Sequence, residues 1–274
     1  MSAPVPKLST AQLAAWLPAV IGIADAAGRE IMRIYESGFN VTLKDDRSPL
    51  TEADLASQSM IGAGLAALTP DIAMLGEESA PQASAQRRAW RALWLVDPLD
   101  GTQEFVKGNG EFTVNIGLIE DHEPVLGVVA APARGLLYAA ARGCGAFRRD
   151  GDGRQLPLRP RVPARSPLRV LGSRSHRDSR TEALLTRFGP QEALSVGSAL
   201  KFCMIAEGHA DLYLRCGPTS EWDTAAGQAL LREAGGAVVD LAGAPLLYNA
   251  RDTLINPAFL AYADGSRDWV ALLG

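Results

Sequence analysis

Two short apolar runs in this chain end abruptly in acidic residues, and this pattern limits the possible folds more than any other feature. Ile72–Leu75 precedes Gly76-Glu77-Glu78, and Ala92–Val96 precedes Asp97. Apolar runs of this length between turn residues are typical of strands buried on both faces. We therefore expect a layered fold in which carboxylates collect where buried strands end.

Helical periodicity dominates the first part of the chain. Apolar residues spaced by three and four from Leu13 to Ile34 predict an α-helix, with Pro18 kinking or restarting it. A second helix is predicted from about Thr51, as its N-cap, to Leu68. Three later runs with turn-sized gaps predict an antiparallel meander: Phe112–Ile119, Val125–Ala131 and Leu136–Ala141.

Prolines crowd residues 157–167, and beyond them strands and helices alternate. The predicted strands are Arg169–Leu171, Leu194–Val196, Asp211–Leu214 and Ala237–Val239. The predicted helices are Ser179–Phe188, Ser198–Glu207 and Trp222–Ala234. This rhythm predicts a layered α/β (α+β) class. The 274 residues suffice for two packed lobes, placed at 1–160 and 161–274 and forming one intimate unit.

The net charge of the chain is −4, which argues against a protein that coats nucleic acid. Between Arg142 and Arg187, however, 12 arginines accompany 4 acids, so this segment carries +8 and the remainder −12. A basic segment beside an acidic remainder suits a small polyanion held next to a metal site. A solvated surface of arginines fits the same numbers equally well.

Cysteine usage and hydropathy bear on location. The three cysteines, Cys144, Cys203 and Cys216, form no CxxC pair, and the first six residues lack the pattern of a signal peptide. We therefore expect a cytoplasmic protein. No apolar run approaches the roughly 18 residues of a membrane span, so no transmembrane segment is expected. Peripheral membrane attachment and homodimer formation are left open.

The segment Asp97-Pro98-Leu99-Asp100-Gly101-Thr102 is the most informative motif. A buried strand delivers Asp97, Pro98 forces a turn, and Asp100 returns on the same side. Gly101 lets the backbone approach a ligand closely. Two carboxylates in this arrangement can ligate or bridge Mg²⁺, which prefers oxygen ligands. The alternative is a turn in which an Asp only caps the next helix.

Two further acidic sites lie at predicted element ends. Glu77 and Glu78 follow a strand, where adjacent buried acids repel each other unless a cation or solvent intervenes. Asp223 opens a helix of small residues, where the helix dipole favours a carboxylate. Each site alone could be an exposed loop or a helix cap, but together with the Asp97 motif they predict a metal site.

Weaker candidates lie in the second half of the chain. Ser198 begins a predicted helix whose free N–H groups could bind an anion. Lys201 and Arg215 are candidate phosphate partners. His176, in Ser173-Arg174-Ser175-His176, could contact a substrate, although a lone histidine more often has a structural role.

The acidic motifs resemble the three signature motifs of the inositol monophosphatase superfamily. They are Glu77-Glu78, the block from Asp97 to Thr102, and Trp222-Asp223. Within that superfamily, four other segments resemble the 3'(2'),5'-bisphosphate nucleotidases: Ser173–His176, Gly197–Cys203, Leu212–Gly227 and Asn109–Ile116. The resemblance spans Ala24 to Phe259, and Gly76 before the acids matches the inositol phosphatase form instead.

The resemblance implies an αβαβα sandwich of two packed lobes and a magnesium phosphatase acting on 3'-phosphoadenosine 5'-phosphate, which yields AMP and phosphate. It implies about two or three Mg²⁺ ions, with ligands at Glu77, Asp97, the Leu99 carbonyl, Asp100 and Asp223. Glu78 and Thr102 would position and deprotonate the attacking water, with Asp54 supporting them. The substrate would be held by Glu77, Leu99, Asp100, Gly101, Thr102, His176, Ser198, Lys201, Arg215 and Asp223.

Three alternatives stay open. A haloacid dehalogenase phosphatase also carries Asp-Gly-Thr, but its chemistry needs an Asp-x-Asp spacing, and this chain has Asp97-x-x-Asp100. An inositol or sugar phosphatase of the same superfamily would share the acids, and the Ser198–Cys203 block and Arg215 argue against it. A non-enzymatic nucleotide-binding protein could keep this fold, although it would have no need to keep every acid.

Overall fold

The computed structural model describes residues 7–44, 48–80, 82–175 and 178–274. Its N-terminal part comprises helix α1 (Thr10–Ser37), a hairpin of β1 (Val41–Leu43) and β2 (Pro49–Thr51), and helix α2 (Glu52–Leu68). The second helix begins as predicted, because Thr51 and Asp54 cap it reciprocally.

Helix α1 is continuous through Pro18, so the helix does not restart there, and a kink at Pro18 stays a prediction. Pro18 lies on the exposed face, where water can bond the carbonyl that loses its helical partner. The opposite face, which includes Leu13, Leu17 and Ile31, is buried against α2 and the large sheet described next. Among the described residues, α1 is the one helix that could cross a membrane by length and composition alone.

A seven-stranded sheet follows the chain order from β3 to β9. Its strands are β3 (Ala73–Gly76), β4 (Ala92–Asp100), β5 (Thr113–Glu120), β6 (Glu123–Ala131), β7 (Leu136–Ala141), β8 (Gly145–Asp150) and β9 (Gln155–Pro157). The pair β3–β4 is parallel and every later pair is antiparallel, which confirms the predicted meander. Two short helices, α3 (Ser84–Arg88) and α4 (Thr102–Val106), flank β4.

The sequence predicts a turn at Pro98, but strand β4 makes no turn there. The strand continues to Asp100, and its register against β5 shifts between Asp97 and Asp100. A bulge of this kind admits a proline, because the missing N–H falls where the ladder is already interrupted. The Asp97 side chain accepts the Leu99 N–H at 3.0 Å, which stabilises the bulge locally.

The second sheet has five strands in the order β11-β10-β12-β14-β13. They are β10 (Leu168–Ser173), β11 (Gln191–Val196), β12 (Leu212–Arg215), β13 (Ala237–Asp240) and β14 (Phe259–Tyr262). Strand β10 pairs in parallel with β11 and β12, whereas β14 runs antiparallel to both of its neighbours. The accompanying helices are α5 (Ser179–Leu185), α6 (Leu200–Ala206) and α7 (Glu221–Glu233).

Three apolar cores separate the layers of the molecule. The first lies between the pair α1 and α2 and the large sheet, and the second joins the two sheets through α6 and α7. The third covers the outer face of the small sheet with residues that include Leu185 and Trp269. The order helix, sheet, helix, sheet, helix confirms the predicted layered α/β fold. The division into lobes 1–160 and 161–274 stays a prediction, and the two sheets share the middle core.

Candidate active site

A cavity of about 260 Å³ lies at the carboxyl ends of β4, β10 and β12. Two groups of charged residues of opposite sign line it. The acidic wall consists of Glu77, Asp97, Asp100 and Asp223, and a further acid, Glu104, lines the cavity near Arg174 and Lys201. The basic wall consists of Arg174, Lys201 and Arg215. Because both walls border one cavity, the site can hold cations and a multiply charged anion side by side.

Asp97 is at the centre of the acidic wall and is 2% exposed. Burial raises the pKa of its carboxyl well above the ordinary value, and the negative charges of Glu77, Asp100 and Asp223 raise it further. The sequence predicts Asp97 at the end of its strand, but Asp97 lies within β4, because the strand and its buried run continue past it. A carboxyl in this position gains most from a cation, because the cation removes both penalties.

Asp100 and Asp223 share this strained electrostatic environment. Burial raises the pKa of Asp100 to about 6, although nearby Lys201 and a 3.1 Å hydrogen bond from Asn115 Nδ2 oppose the rise. Burial, followed by the charge of Asp100, raises the pKa of Asp223 well above its ordinary value. Asp223 also accepts the Ser220 N–H at 2.8 Å in a capping box, so its role as a helix cap and its place in the cavity coexist.

Thr102 links the end of β4 to α2. Its Oγ1 lies 3.3 Å from Asp54 Oδ1 and 3.2 Å from the Leu99 carbonyl oxygen. Asp54 is 1% exposed and caps α2, and it does not itself line the cavity. Gly101 has φ +89°, and a Cβ there would lie 3.0 Å from the Glu111 carbonyl oxygen. Glycine is therefore required at this position for both conformation and space.

The basic wall is built around a turn at Ser198. Ser198 has φ +53°, and α6 begins only at Leu200, so the predicted helix start at Ser198 is wrong by two residues. The turn leaves the Ser198 hydroxyl buried without a hydrogen-bond partner among the described residues. A hydroxyl in that state is available to a ligand in the cavity.

Lys201 and Arg215 are both buried beside this turn. Lys201 Nζ donates to the Ser198 carbonyl at 2.7 Å, and burial lowers its pKa to about 8 despite nearby Asp100. Arg215 bonds the carbonyls of Gly217 and Pro218 at 3.2 and 3.0 Å. His176, predicted to join them, lies outside the described residues.

Lys44 is a site residue that sequence reasoning missed. Its ammonium bonds Glu77 at 2.7 Å and also bonds Glu78. Although burial opposes it, these two carboxylates raise the pKa of Lys44. A single lysine after a three-residue strand carries no sequence signal of its own. The hairpin of β1 and β2 brings it to the acids, which are more than 30 residues further along the chain.

Comparison with known proteins identifies the family. The Inositol monophosphatase family model matches residues 12–266. The chain belongs to the inositol monophosphatase family. It is 47% identical over 245 residues to the 3'(2'),5'-bisphosphate nucleotidase CysQ of Escherichia coli O157:H7, covering 89% of this chain and 98% of that protein. The CysQ of Salmonella typhimurium is 48% identical with the same coverage.

Solved structures agree with the fold of the inositol monophosphatase family. The structure of CysQ from Bacteroides thetaiotaomicron matches with a TM-score of 0.80 at 39% identity, covering 93% of this chain and 98% of that one. The inositol monophosphatase from Anabaena matches with a TM-score of 0.75 at 25% identity, covering 95% of each chain. The predicted family and the predicted layered fold are both confirmed.

Metal dependence is general in the inositol monophosphatase family. In the described residues, no three His, Cys, Asp or Glu side chains are grouped tightly enough to hold an ion as they stand. The acids bond protein donors instead: Lys44 for Glu77 and Glu78, Thr51 for Asp54, Asn115 for Asp100, and Ser220 for Asp223. Buried oxygen ligands with raised pKa values nevertheless fit a hard cation.

The arginine-rich segment turns out to serve mainly the scaffold. Among its described arginines, only Arg174 lines the cavity. Four others form ion pairs with acids elsewhere: Arg142 with Glu120, Arg148 with Glu207, Arg149 with Asp25, and Arg169 with Glu192. The sequence analysis expects the arginine-rich segment to lie beside the site. Among its described arginines only Arg174 does so, and the four just named are paired with acids away from the cavity.

The raised pKa values predict how the stability of the metal-free protein depends on pH. Asp97, Asp100 and Asp223 bind protons more tightly in the folded chain than in the unfolded chain, where an Asp titrates near about 4. The free energy of unfolding should therefore fall as pH rises from that value through about 6, the pKa of Asp100. Thermal unfolding in excess EDTA measures this, and saturating Mg²⁺ should reduce the fall. If the free energy of unfolding of the metal-free protein did not change over this pH range, the raised pKa values of these three carboxyls would be contradicted.

Proposed function

We propose that this chain is a Mg²⁺-dependent 3'(2'),5'-bisphosphate nucleotidase that hydrolyses 3'-phosphoadenosine 5'-phosphate to AMP and phosphate. The observation that carries the proposal is that one cavity has both an acidic wall and a basic wall. A substrate with two phosphates can place one at each wall. The relatives from Escherichia coli and Salmonella typhimurium carry this activity in their names.

The acidic wall would hold the metal. Its ligands would be the carboxylates of Glu77, Asp97, Asp100 and Asp223 together with the Leu99 carbonyl, which lies beside them in the cavity. Bound Mg²⁺ supplies charge neutralisation of the phosphate and a water of lowered pKa. Asp97 would gain most from a bound cation, because burial and the charges of the other three acids all oppose its own charge.

Glu78 and Thr102 would handle the attacking water. Burial raises the pKa of the Glu78 carboxyl, which suits a group that takes a proton. Lys44 bonds Glu78 Oε1 in this structure, and this bond opposes proton uptake because it favours the charged carboxylate. Thr102 Oγ1 can orient the water while donating its own proton to Asp54 or to the Leu99 carbonyl.

The basic wall would recognise the second phosphate and the ribose. Lys201 and Arg215 supply positive charge, and the Ser198 hydroxyl, which has no partner within the described ranges, supplies a hydrogen bond. The backbone at Gly101 and Thr102 would cradle the scissile phosphate, since Gly101 leaves its surface free of a side chain. His176 stays a predicted substrate contact. A cytoplasmic location and homodimer formation also stay predictions.

An inositol phosphatase is the second candidate, because one observation favours it. Gly76 before the acids is the inositol phosphatase form, and here a Cβ at that position would lie 2.6 Å from Gln58 Oε1. The packing of Gln58 therefore excludes a larger residue unless that side chain moves. The acidic wall would serve either substrate, so only the basic wall distinguishes them.

Parallel assays of phosphate release test the proposal. 3'-Phosphoadenosine 5'-phosphate and inositol 1-phosphate are each offered with Mg²⁺ and with EDTA. We expect release that EDTA abolishes and that strongly prefers the nucleotide. A preference for inositol 1-phosphate would retain the metal site and overturn the role given to the basic wall. Release that EDTA leaves unchanged would overturn the metal site.

A further inference from the structure

Glu111 is a buried carboxylate that touches both halves of the molecule and does not line the cavity. It lies just before β5, and the residue is 8% exposed. Its oxygens accept the Arg174 guanidinium at two points, Nε at 2.7 Å and Nη2 at 2.9 Å. They also accept the Gly197 N–H at 2.9 Å and Arg134 Nη2 at 3.3 Å.

Two of these partners, Arg174 and Gly197, belong to the two segments that support the basic wall. Arg174 follows β10 and lines the cavity, and its Nη2 also donates to the Ser195 carbonyl at 2.8 Å. Gly197 follows β11 and precedes the left-handed Ser198. One carboxylate from the first sheet therefore holds the ends of two strands of the second sheet.

The backbone of Glu111 makes a second connection to the opposite side of the cavity. Its carbonyl oxygen would lie 3.0 Å from a Cβ on Gly101 and 2.7 Å from a Cβ on Gly197. Both glycines therefore pack directly on this carbonyl. The Glu111 carbonyl thus packs on the Gly101 turn, at the scissile phosphate, and on Gly197, beside the Ser198 turn at the second phosphate. The two turns also approach each other directly, since a Cβ on Gly101 would lie 3.4 Å from Ser198 Cβ.

The electrostatics keep this carboxylate charged. Burial would raise the pKa of Glu111, but the bonds from Arg174 and the Gly197 N–H outweigh it and lower the pKa. A charged, multiply bonded carboxylate resists displacement, because moving it would leave the buried Gly197 N–H unpaired and break the Arg174 ion pair. Ser175, which follows Arg174 in the sequence, is also held in place, since its hydroxyl donates to Glu104 Oε1 at 2.6 Å.

We propose that Glu111 is a positioning residue that fixes the distance between the two phosphate sites by bonding Arg174 and Gly197. It determines selectivity for a bisphosphate without touching the substrate. The inference rests on the proposed function, because it concerns the second phosphate. Chemistry at the scissile phosphate does not depend on it.

Glu111→Gln tests this role with little change in volume. A glutamine oxygen in place of Oε2 can still accept from Gly197 N–H and Arg174 Nε, but an amide NH₂ in place of Oε1 cannot accept from Arg174 Nη2 or Arg134 Nη2. We expect KM for 3'-phosphoadenosine 5'-phosphate to rise about tenfold with kcat nearly unchanged, as expected for one lost charge-assisted bond. KM for adenosine 3'-phosphate, which lacks the second phosphate, should stay nearly constant. Glu111→Asp, which retains the charge, should restore part of the loss.

Glu207→Gln is the matched control. Glu207 has a side-chain exposure of 10%, against 11% for Glu111, and its partner Arg148 on β8 also joins the two halves. Glu207 does not line the cavity, so Glu207→Gln should change thermal stability but should leave the KM values for both nucleotides unchanged. A merely structural Glu111 would behave in the same way.

The outcomes separate this inference from the proposed function. Equal changes for both substrates, a fall in kcat alone, or no change in Glu111→Gln would overturn the positioning role while native turnover of the bisphosphate upholds the function. Absence of bisphosphate hydrolysis by the native protein would overturn the function and this inference together.

Discussion

Asp97→Asn should reduce phosphate release by at least about 1000-fold, because one neutral amide would weaken every cation held at the acidic wall. The same change should leave the thermal unfolding midpoint of the metal-free protein unchanged or raise it. Asp97 is 2% exposed, and its charge is opposed by burial and by Glu77, Asp100 and Asp223. The amide oxygen can still accept the Leu99 N–H, so the bulge in β4 is retained. Phosphate release and thermal unfolding in EDTA are the measurements.

Asp211→Asn is the control for this prediction. Asp211 is also 2% exposed, but its two oxygens accept the N–H groups of Arg165 and Arg169 at 3.0 and 2.7 Å. Losing one of these bonds should cost about 1–3 kcal/mol of stability and leave activity per folded molecule intact. Activity near the native level in Asp97→Asn, or a large loss of stability, would refute the metal assignment of Asp97.

Lys201→Met should raise KM for 3'-phosphoadenosine 5'-phosphate by about 10- to 100-fold, the range expected from losing one charged hydrogen bond of about 1.5–3 kcal/mol. Adenosine 3'-phosphate should show almost no change in KM, because it lacks the second phosphate that Lys201 would bind. Stability should not suffer, since burial lowers the pKa of Lys201 to about 8 and so disfavours its charge. Steady-state kinetics on the two nucleotides, with saturating Mg²⁺, give the comparison.

Arg232→Met is the control for losing a positively charged side chain that does not line the cavity. Arg232 pairs with Glu123 at 2.8 Å on the exposed side of α7, away from the cavity. Exposed pairs contribute little, so both KM values and the unfolding midpoint should stay close to native. A Lys201→Met variant that loses affinity equally for both nucleotides would show that Lys201 acts on the scissile end of the substrate, which would count against the proposed division of the cavity.

The local elements of this protein are well predicted by its sequence. The periodicity of α1 and the alternation after residue 168 are patterns of a few residues, and the observed elements follow them closely. Strands β1, β2, β8, β9 and β14 are absent from the predicted set. The apolar run of β14, Phe259–Tyr262, is a signal that could have found it. β8 carries Arg148, Arg149 and Asp150, whose charges hide a strand from hydrophobic patterns.

The acidic wall is also largely a sequence-level feature. Glu77 and Asp100 lie at or next to the end of a strand, Asp223 lies in the first turn of α7, and Asp97 lies three residues before the end of β4. Buried strand ends and helix N-termini converge in layered α/β folds. Asp97, Asp100 and Asp223 could therefore be assigned to one site before any coordinates. The bulge at Pro98 replaces a turn without moving the carboxylates out of the cavity.

The tertiary structure alone decided the contacts between distant segments. Lys44 meets Glu77 and Glu78, Glu111 meets Arg174 and Gly197, and most of the arginine-rich segment finds partners away from the site. Local sequence fixes backbone preference and which face of an element is apolar, because both depend on neighbouring residues. The partner of a charged side chain depends on which elements pack together, and a charge more than 30 residues away has no local signature.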